Sequence, residues 1–264
     1  MSNRSVNRFV LFVVYCLSSI FLVTCGTSTH ALDRVLDTGV LRIGMDASFP
    51  PFEYVDGEGN LVGFDVGLAR EVAARLGVEA RLIANLSYDG LYDALTAERV
   101  DAVISALYVD PSRTDAFAYS TPYFDAGQVL VMPGGAGGIG GVSDLARRTL
   151  AVEFGSEGDV VARTWSRRLV GLKVLPCQSA DEALAMVAAG GADAALVDRL
   201  SALAGVGGGS GLLIVGQPVT NEPYAVAVRR EERGLLRAIN RALAELEADG
   251  TLARLRERWF ASTP

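Results

Sequence analysis

The chain has 264 residues, half of them apolar, and carries 24 Lys and Arg against 31 Asp and Glu, a formal net charge of −7. That length holds one large domain or two modest ones with a sizeable core, and an acidic chain without a basic run argues against nucleic acid and anionic membranes as partners. Only Cys177 lies beyond the N-terminal segment and the single histidine is His30, which disfavours an internal disulfide, a zinc site and a Ser-His or Cys-His nucleophile, and no cofactor or metal is expected.

Residues 1–31 read as an export leader: Arg4 and Arg8 precede an apolar run over 9–23, the length of a secretory h-region and short for a membrane span. Two cleavage readings stand side by side. Leu22-Val23-Thr24-Cys25 resembles a lipobox and would leave a lipid-anchored Cys25, although Thr24 is atypical; Thr29-His30-Ala31 suits an ordinary signal peptidase and would leave Leu32 first. Either places the protein in the periplasm or another extracytoplasmic space. Removing two positive charges takes the formal net charge to −9, because residues 1–31 hold Arg4 and Arg8 and no acid.

From Gly39 onward short apolar strands alternate with amphipathic helices, the pattern of an α/β fold. Strands are expected over 40–45, 79–83 and 100–105. Between the first two, Asp65 is placed as the cap of a helix with Ala69, Val72, Ala73 and Leu76 on one face, ended by Gly77. A second helix is expected over 89–97. A strand over 128–132 leads into a glycine-rich stretch, 134–141. A second α/β run follows, with strands over 149–153, 172–175 and 192–197, the last clear strand of that half, and helices around 159–168 and 180–189. A second glycine patch covers 205–211. Residues 223–229 read as a returning strand, followed by helices over 231–248 and 251–259.

Within 135–140 the sequence Gly-Ala-Gly-Gly-Ile-Gly satisfies G-x-G-x-x-G, with Glu153 eighteen residues after the first glycine. A dinucleotide fold needs that loop to open a helix long enough to cross the sheet, and only residues 142–148 are available. The stretch reads instead as a surface loop.

Arg113 follows the strand ending at Ser105 through the turn Asp110-Pro111. On local pattern it is a solvated loop residue paired with Asp110 or Asp115. Its place near a strand's carboxyl end also suits a two-pronged grip on a carboxylate.

Five blocks decide between these readings: Leu41-Arg42-Ile43-Gly44-Met45-Asp46-Ala47-Ser48-Phe49-Pro50-Pro51-Phe52-Glu53; Gly63-Phe64-Asp65-Val66; Asp89-Gly90-Leu91; Val100-Asp101-Ala102-Val103-Ile104-Ser105; and the terminal Asp249-Gly250-Thr251-Leu252 with Trp259-Phe260. In order and spacing they resemble the family 3 solute-binding proteins, the periplasmic receptors of polar amino-acid ABC importers. The resemblance implies an α/β fold of the periplasmic-binding-protein-like type II, two lobes joined by a two-strand hinge. Lobe 1 would hold 32–126 plus 221–264 and lobe 2 would hold 127–220, with chain crossings near 125–129 and 219–224. Closure around a ligand then follows from the hinge.

The same resemblance implies the site. Arg113 would clamp a ligand carboxylate, aided by backbone N–H groups at Leu107 and Tyr108 and, across the cleft, at Ser156 and Glu157. Asp198 would pair with the α-ammonium, a role compatible with its local reading as a helix cap. Phe49 and Tyr88 would sandwich the ligand side chain, with Ser105 and Ala106 beside them. Asp46 stands where basic-amino-acid receptors place an acid, and Glu153 sits at the mouth of the second lobe. Departures are Tyr108 in place of the usual Ser or Thr, Ala106 without a side-chain donor, and Phe154 and Glu157 in place of small or polar residues. The carboxylate grip looks intact and the ammonium site altered.

The function implied is capture of a polar amino acid, basic ones included, or a related carboxylate, by a monomer that delivers it to an inner-membrane ABC permease. The alternative is an enzyme similar to the cyclohexadienyl dehydratases, with Glu153 or Glu157 as general acid. A sensor reading is disfavoured, since no transmembrane or signalling segment follows the second lobe in this sequence.

Overall fold

Apolar alternation and helix amphipathicity resolve into two separate five-stranded sheets in a computed structural model that describes residues 30–135, 138–206 and 209–260. Residues 1–29, with Cys25 and most of the expected leader, and parts of both glycine stretches lie outside the described residues. In chain order, α1 (Ala31–Thr38), β1 (Val40–Gly44), the hairpin strands β2 (Ser48–Phe49), β3 (Glu53–Val55) and β4 (Leu61–Val62), α2 (Phe64–Arg75), β5 (Glu79–Ile83), α3 (Leu91–Thr96), β6 (Ala102–Val103) and β7 (Phe117–Tyr119) build most of the first lobe. After β8 (Phe124–Asp125) the chain forms β9 (Gln128–Pro133), β10 (Thr149–Glu153), α4 (Glu157–Ser166), β11 (Lys173–Cys177), α5 (Ala180–Ala188), β12 (Ala194–Asp198), α6 (Arg199–Gly205) and β13 (Leu212–Val215). It returns through β14 (Pro223–Tyr224) and β15 (Ala227–Arg229) to α7 (Arg233–Ala248) and α8 (Thr251–Phe260).

The first sheet runs β5-β1-β6-β15-β7 and the second β11-β10-β12-β9-β13. In each, parallel strands joined by helices meet one strand that returns antiparallel: β15 beside β6, and β9 beside β12. Between the sheets lies a two-stranded ribbon, β8 against β14, with Phe124 opposite Tyr224 and Asp125 opposite Pro223. This is the two-lobed α/β architecture with a paired-strand hinge. The two crossings are also bonded to each other, Ala126 N–H to Glu222 O at 2.9 Å and Val219 N–H to Gln128 O at 2.8 Å.

Phe52, Phe64, Phe124, Tyr224 and Phe260 pack as an aromatic cluster, with Phe52 5.1 Å from both Phe124 and Phe260 between ring centroids. Through it α8 anchors the hinge strands to the first core, which also takes Leu235, Ile239 and Leu246 of α7. Burial of such apolar area dominates lobe stability. Asp101, 1% exposed, is held by the guanidinium groups of Arg34 and Arg42 and by the Arg42 N–H at 2.9 Å, so a buried charge is fully paired.

Several expected elements differ. Asp65 does not cap α2: Gly63 occupies the cap position and Asp65, in the first turn, is wholly buried, because that face of the helix meets the core. The strand expected over 100–105 pairs only at Ala102–Val103, since Ser105 and Ala106 turn away to bond with Glu53 and Asp65. The strand over 192–197 is not the last of its half. β13 follows it and pairs antiparallel with β9, its signal masked by the flanking glycines. The expected strand over 223–229 is interrupted between Tyr224 and Ala227. The glycine stretch 134–141 opens no long helix; only a 3₁₀ turn, Val142–Leu145, precedes β10.

Candidate functional site: the cleft cavity

A cavity of about 340 Å³ opens beyond the carboxyl ends of β1 and β6, the usual ligand position in an α/β sheet. Six expected site residues line it: Asp46, Phe49, Tyr88, Ser105, Ala106 and Tyr108. Ser48, Glu53, Glu222 and Tyr224, which sequence reasoning did not single out for the site, complete the wall. Phe49 stacks on Phe52 at 5.6 Å, so the aromatic core continues to the cavity lip.

The loop after β6 is held from below. Asp46 N–H donates to Ser105 Oγ at 2.9 Å, and Ser105 Oγ–H donates to Glu53 Oε1 at 2.7 Å. Ala106 N–H donates to Asp65 Oδ2 at 2.5 Å, which fixes Ala106 at φ +41°, a left-handed conformation that a residue with a side chain rarely adopts. Leu107 is fully buried beneath the loop and its carbonyl accepts from Ala225 N–H at 3.0 Å. Tyr88 reaches over the top, where its N–H donates to Asp46 Oδ2 at 2.9 Å.

Arg113 lies beside this cavity rather than in its wall. Its Nε donates to Asp110 Oδ2 at 3.2 Å and its guanidinium sits 4.4 Å above the Tyr92 ring. The pairing with Asp110 is the one its local sequence suggests, and the aromatic neighbour adds a cation–π hold. Tyr92 in turn bonds Tyr119 at 2.8 Å, and desolvation pushes its phenol up.

None of the second-lobe candidates lines the cavity. Phe154 is 67% exposed. Ser156 caps α4, accepting from Asp159 N–H at 3.2 Å, and Glu157 accepts from Thr220 Oγ1 at 3.2 Å. Asp198 caps α6, accepting from Ser201 N–H at 2.9 Å and Ser201 Oγ at 2.6 Å. The wall of this cavity therefore belongs to the first lobe and the hinge.

Electrostatically the wall is one-sided. Asp46, Glu53 and Glu222 face the cavity and, among the described residues, no Lys or Arg lines it. Glu222, half-buried on the hinge, is pushed up by desolvation and then by the nearby charges of Glu157, Asp198 and Asp125. Such a wall favours a cation and repels an added anion. The signals for the two missed acids were faint: Glu53 is an acid set among aromatic residues, and Glu222 precedes a proline at a chain crossing.

Residues 41–262 match the family described as bacterial extracellular solute-binding proteins, family 3. The L-cystine-binding protein TcyJ of Escherichia coli K12 is 35% identical over 234 residues, 88% of this chain and 86% of its own. Among solved structures, the L-cystine solute receptor of Neisseria gonorrhoeae in its unliganded open conformation matches with a TM-score of 0.74 at 26% identity, covering 88% of this chain and 97% of that one. An ancestral cyclohexadienyl dehydratase matches with a TM-score of 0.77 at 26% identity, covering 88% and 97%.

Proposed function

The chain belongs to the family 3 bacterial extracellular solute-binding proteins, and from that premise we propose that its cleft captures an amino acid bearing a second cationic group, L-cystine or a basic amino acid, for an inner-membrane ABC permease. The observation that carries the ligand class is the cavity wall, where Asp46 and Glu222 stand without a basic residue. A cationic side chain would enter between Phe49 and Tyr88 toward these acids. Arg113 would leave Asp110 to grip the α-carboxylate, and Asp198 would meet the α-ammonium as the second lobe closes. Glu222, beside the altered Tyr108 position, would supply the acceptor that a Ser or Thr hydroxyl supplies elsewhere in the family. The L-cystine-binding relative and the L-cystine receptor structure support a second ammonium group in the ligand; the second carboxylate of cystine would then point away from the wall acids.

The dehydratase likeness favours one competing reading, an enzyme on the same scaffold. Glu157 is exposed and bonded to Thr220, and neither it nor Glu153 lines the cavity in which a substrate would sit. We therefore read the protein as a binding protein without chemistry, acting as a monomer.

We also propose that the mature chain keeps Ala31. Ala31 is fully buried and its N–H donates to Glu232 Oε2 at 2.7 Å, an arrangement that cleavage ahead of Cys25 would preserve and cleavage after Ala31 would remove. Intact-mass measurement of the exported protein distinguishes a lipidated Cys25 terminus from Leu32.

A thermal-shift panel on protein stripped of ligand tests the function. Ligand binding to the native state raises the melting temperature. L-cystine, arginine, lysine or ornithine should raise it well above the effect of glutamine or glutamate. Response to prephenate alone, with turnover, would establish the enzyme instead.

A further inference from the structure

Glu53 of β3 and Asp65 of α2 are 1% and 0% exposed. Each has one oxygen accounted for: Glu53 Oε1 accepts from Ser105 Oγ–H at 2.7 Å, and Asp65 Oδ2 accepts from Ala106 N–H at 2.5 Å and Tyr123 O–H at 2.8 Å. The remaining oxygens, Glu53 Oε2 and Asp65 Oδ1, are buried with no donor. The two side chains lie within hydrogen-bonding reach of each other. Two buried carboxylates in contact would repel, and each orphaned oxygen would bear its full desolvation cost. One proton between them removes both penalties.

We propose that Glu53 and Asp65 share a single proton at neutral pH, with Glu53 as donor, and that this proton-bound pair is the positioning device for the cavity loop that begins at Ser105 and Ala106. Held as an anion that accepts three hydrogen bonds, Asp65 keeps Ala106 in its left-handed conformation and thereby sets the course of the chain into Tyr108, which lines the cavity. Glu53 orients the Ser105 hydroxyl, which accepts the Asp46 N–H. The pair joins an acid on the cavity wall to the backbone that would meet the ligand.

The groups facing the pair agree with a retained proton. Asp46 comes from the loop after β1, Tyr123 from the segment before β8, Tyr88 from the turn before α3 and Tyr224 from β14. Ser105 and the Ala106 N–H complete the shell, and no basic side chain is among them. Burial, and for Glu53 the adjoining Asp65 charge, pushes both carboxyls up.

The sharing of the proton does not depend on what the cavity binds; its effect on affinity rests on the amino-acid reading above. Infrared difference spectroscopy of the intact protein at pH 7 tests the first part. Wild type should carry the C=O band of a protonated buried carboxyl, and Glu53→Gln should lack it. Asp65→Asn, in which the amide donates to an ionised Glu53, should lack it too and serves if the first variant fails to fold. Absence of the band in wild type, or its persistence in both variants, overturns the proposal. The second part is read from L-cystine affinity between pH 7.5 and pH 5. A second proton on Asp65 removes an acceptor, so wild-type affinity should fall at least about fivefold more than that of Glu53→Gln, whose amide keeps Asp65 ionised. Equal pH slopes would overturn the positioning role. A band present with no ligand bound by wild type at any pH would instead count against the functional reading.

Discussion

The backbone of Tyr108 pairs with that of Tyr224 in an antiparallel bridge, flanked by Val109 N–H to Pro223 O at 3.0 Å and Ala225 N–H to Leu107 O at 3.0 Å. The loop that offers candidate ligand donors is thus a strand laid along the hinge. A hinge motion is therefore expected at the stretch beyond the ribbon, around residues 126–128 and 219–222.

Gly127 sits at that bend. A Cβ built on it would lie 2.2 Å from Thr220 O, on the opposite crossing. Since the obstacle is backbone rather than a mobile side chain, relief requires the two crossings to separate. Gly127→Ala should destabilise the protein by about 1–3 kcal/mol, measured by chemical denaturation, and should reduce the ligand-induced compaction seen by X-ray scattering. Unchanged stability would place the bend elsewhere.

Tyr88 and Tyr108 line the cavity together, and the Tyr88 hydroxyl lies near the Tyr108 backbone, so a carboxylate that takes the Tyr108 N–H meets that oxygen. Tyr88→Phe keeps the aromatic face and removes the competing oxygen. Affinity for the preferred amino acid should rise by up to about fivefold, the worth of one modest hydrogen bond, as read by calorimetry. A large loss of affinity would show that the hydroxyl itself binds ligand.

Glu222 should set charge preference. Glu222→Gln removes one of the two wall acids outside the proton-sharing pair, Asp46 and Glu222, while keeping shape, and it relieves the repulsion with Glu157, Asp198 and Asp125. Competition binding should show a loss of about tenfold for cystine or arginine and little change for glutamine. Equal losses for all three ligands would reduce Glu222 to a general role.

The Glu53–Asp65 pair has a stability signature of defined sign. Both carboxyls are raised in the folded state, first by burial, so the folded protein holds a proton that the unfolded chain releases above about pH 4. Their contribution is fully present below that pH and is lost progressively as pH rises toward the folded-state values. Glu53→Gln removes the Glu53 share. The melting temperature of the variant relative to wild type should therefore be higher at pH 8 than at pH 5, by at least about 2 °C, in scanning calorimetry. A pH-independent difference would contradict the retained proton.

Much of this was readable from sequence where one period dominated. The strand Thr149–Glu153 and the helix Ala180–Ala188 follow from apolar runs and caps, with Ser179 accepting the Glu182 N–H at 3.2 Å. Gly77, at φ +75°, ends α2 as a left-handed glycine. Asp65 was legible as polar and helical but not as buried, because burial of an acid depends on Tyr123 and Glu53, 58 and 12 residues away in the chain. β13 was hidden by its glycine neighbours, and α1 by its place beside the leader. Glu53 and Glu222 come to one cavity only through the hairpin and the returning hinge strand, a meeting no local pattern encodes.

The central claim is that Arg113 turns from Asp110 and Tyr92 to grip the α-carboxylate of an amino acid bearing a second cationic group. Isothermal titration of stripped wild type and Arg113→Ala with L-cystine and L-arginine tests it most directly. Removing a bidentate, charge-assisted grip from a closed cleft should lower affinity by at least about 100-fold for whichever ligand wild type binds. Binding by Arg113→Ala within about threefold of wild type would contradict the account and leave Arg113 as the solvated loop residue its pairing with Asp110 resembles.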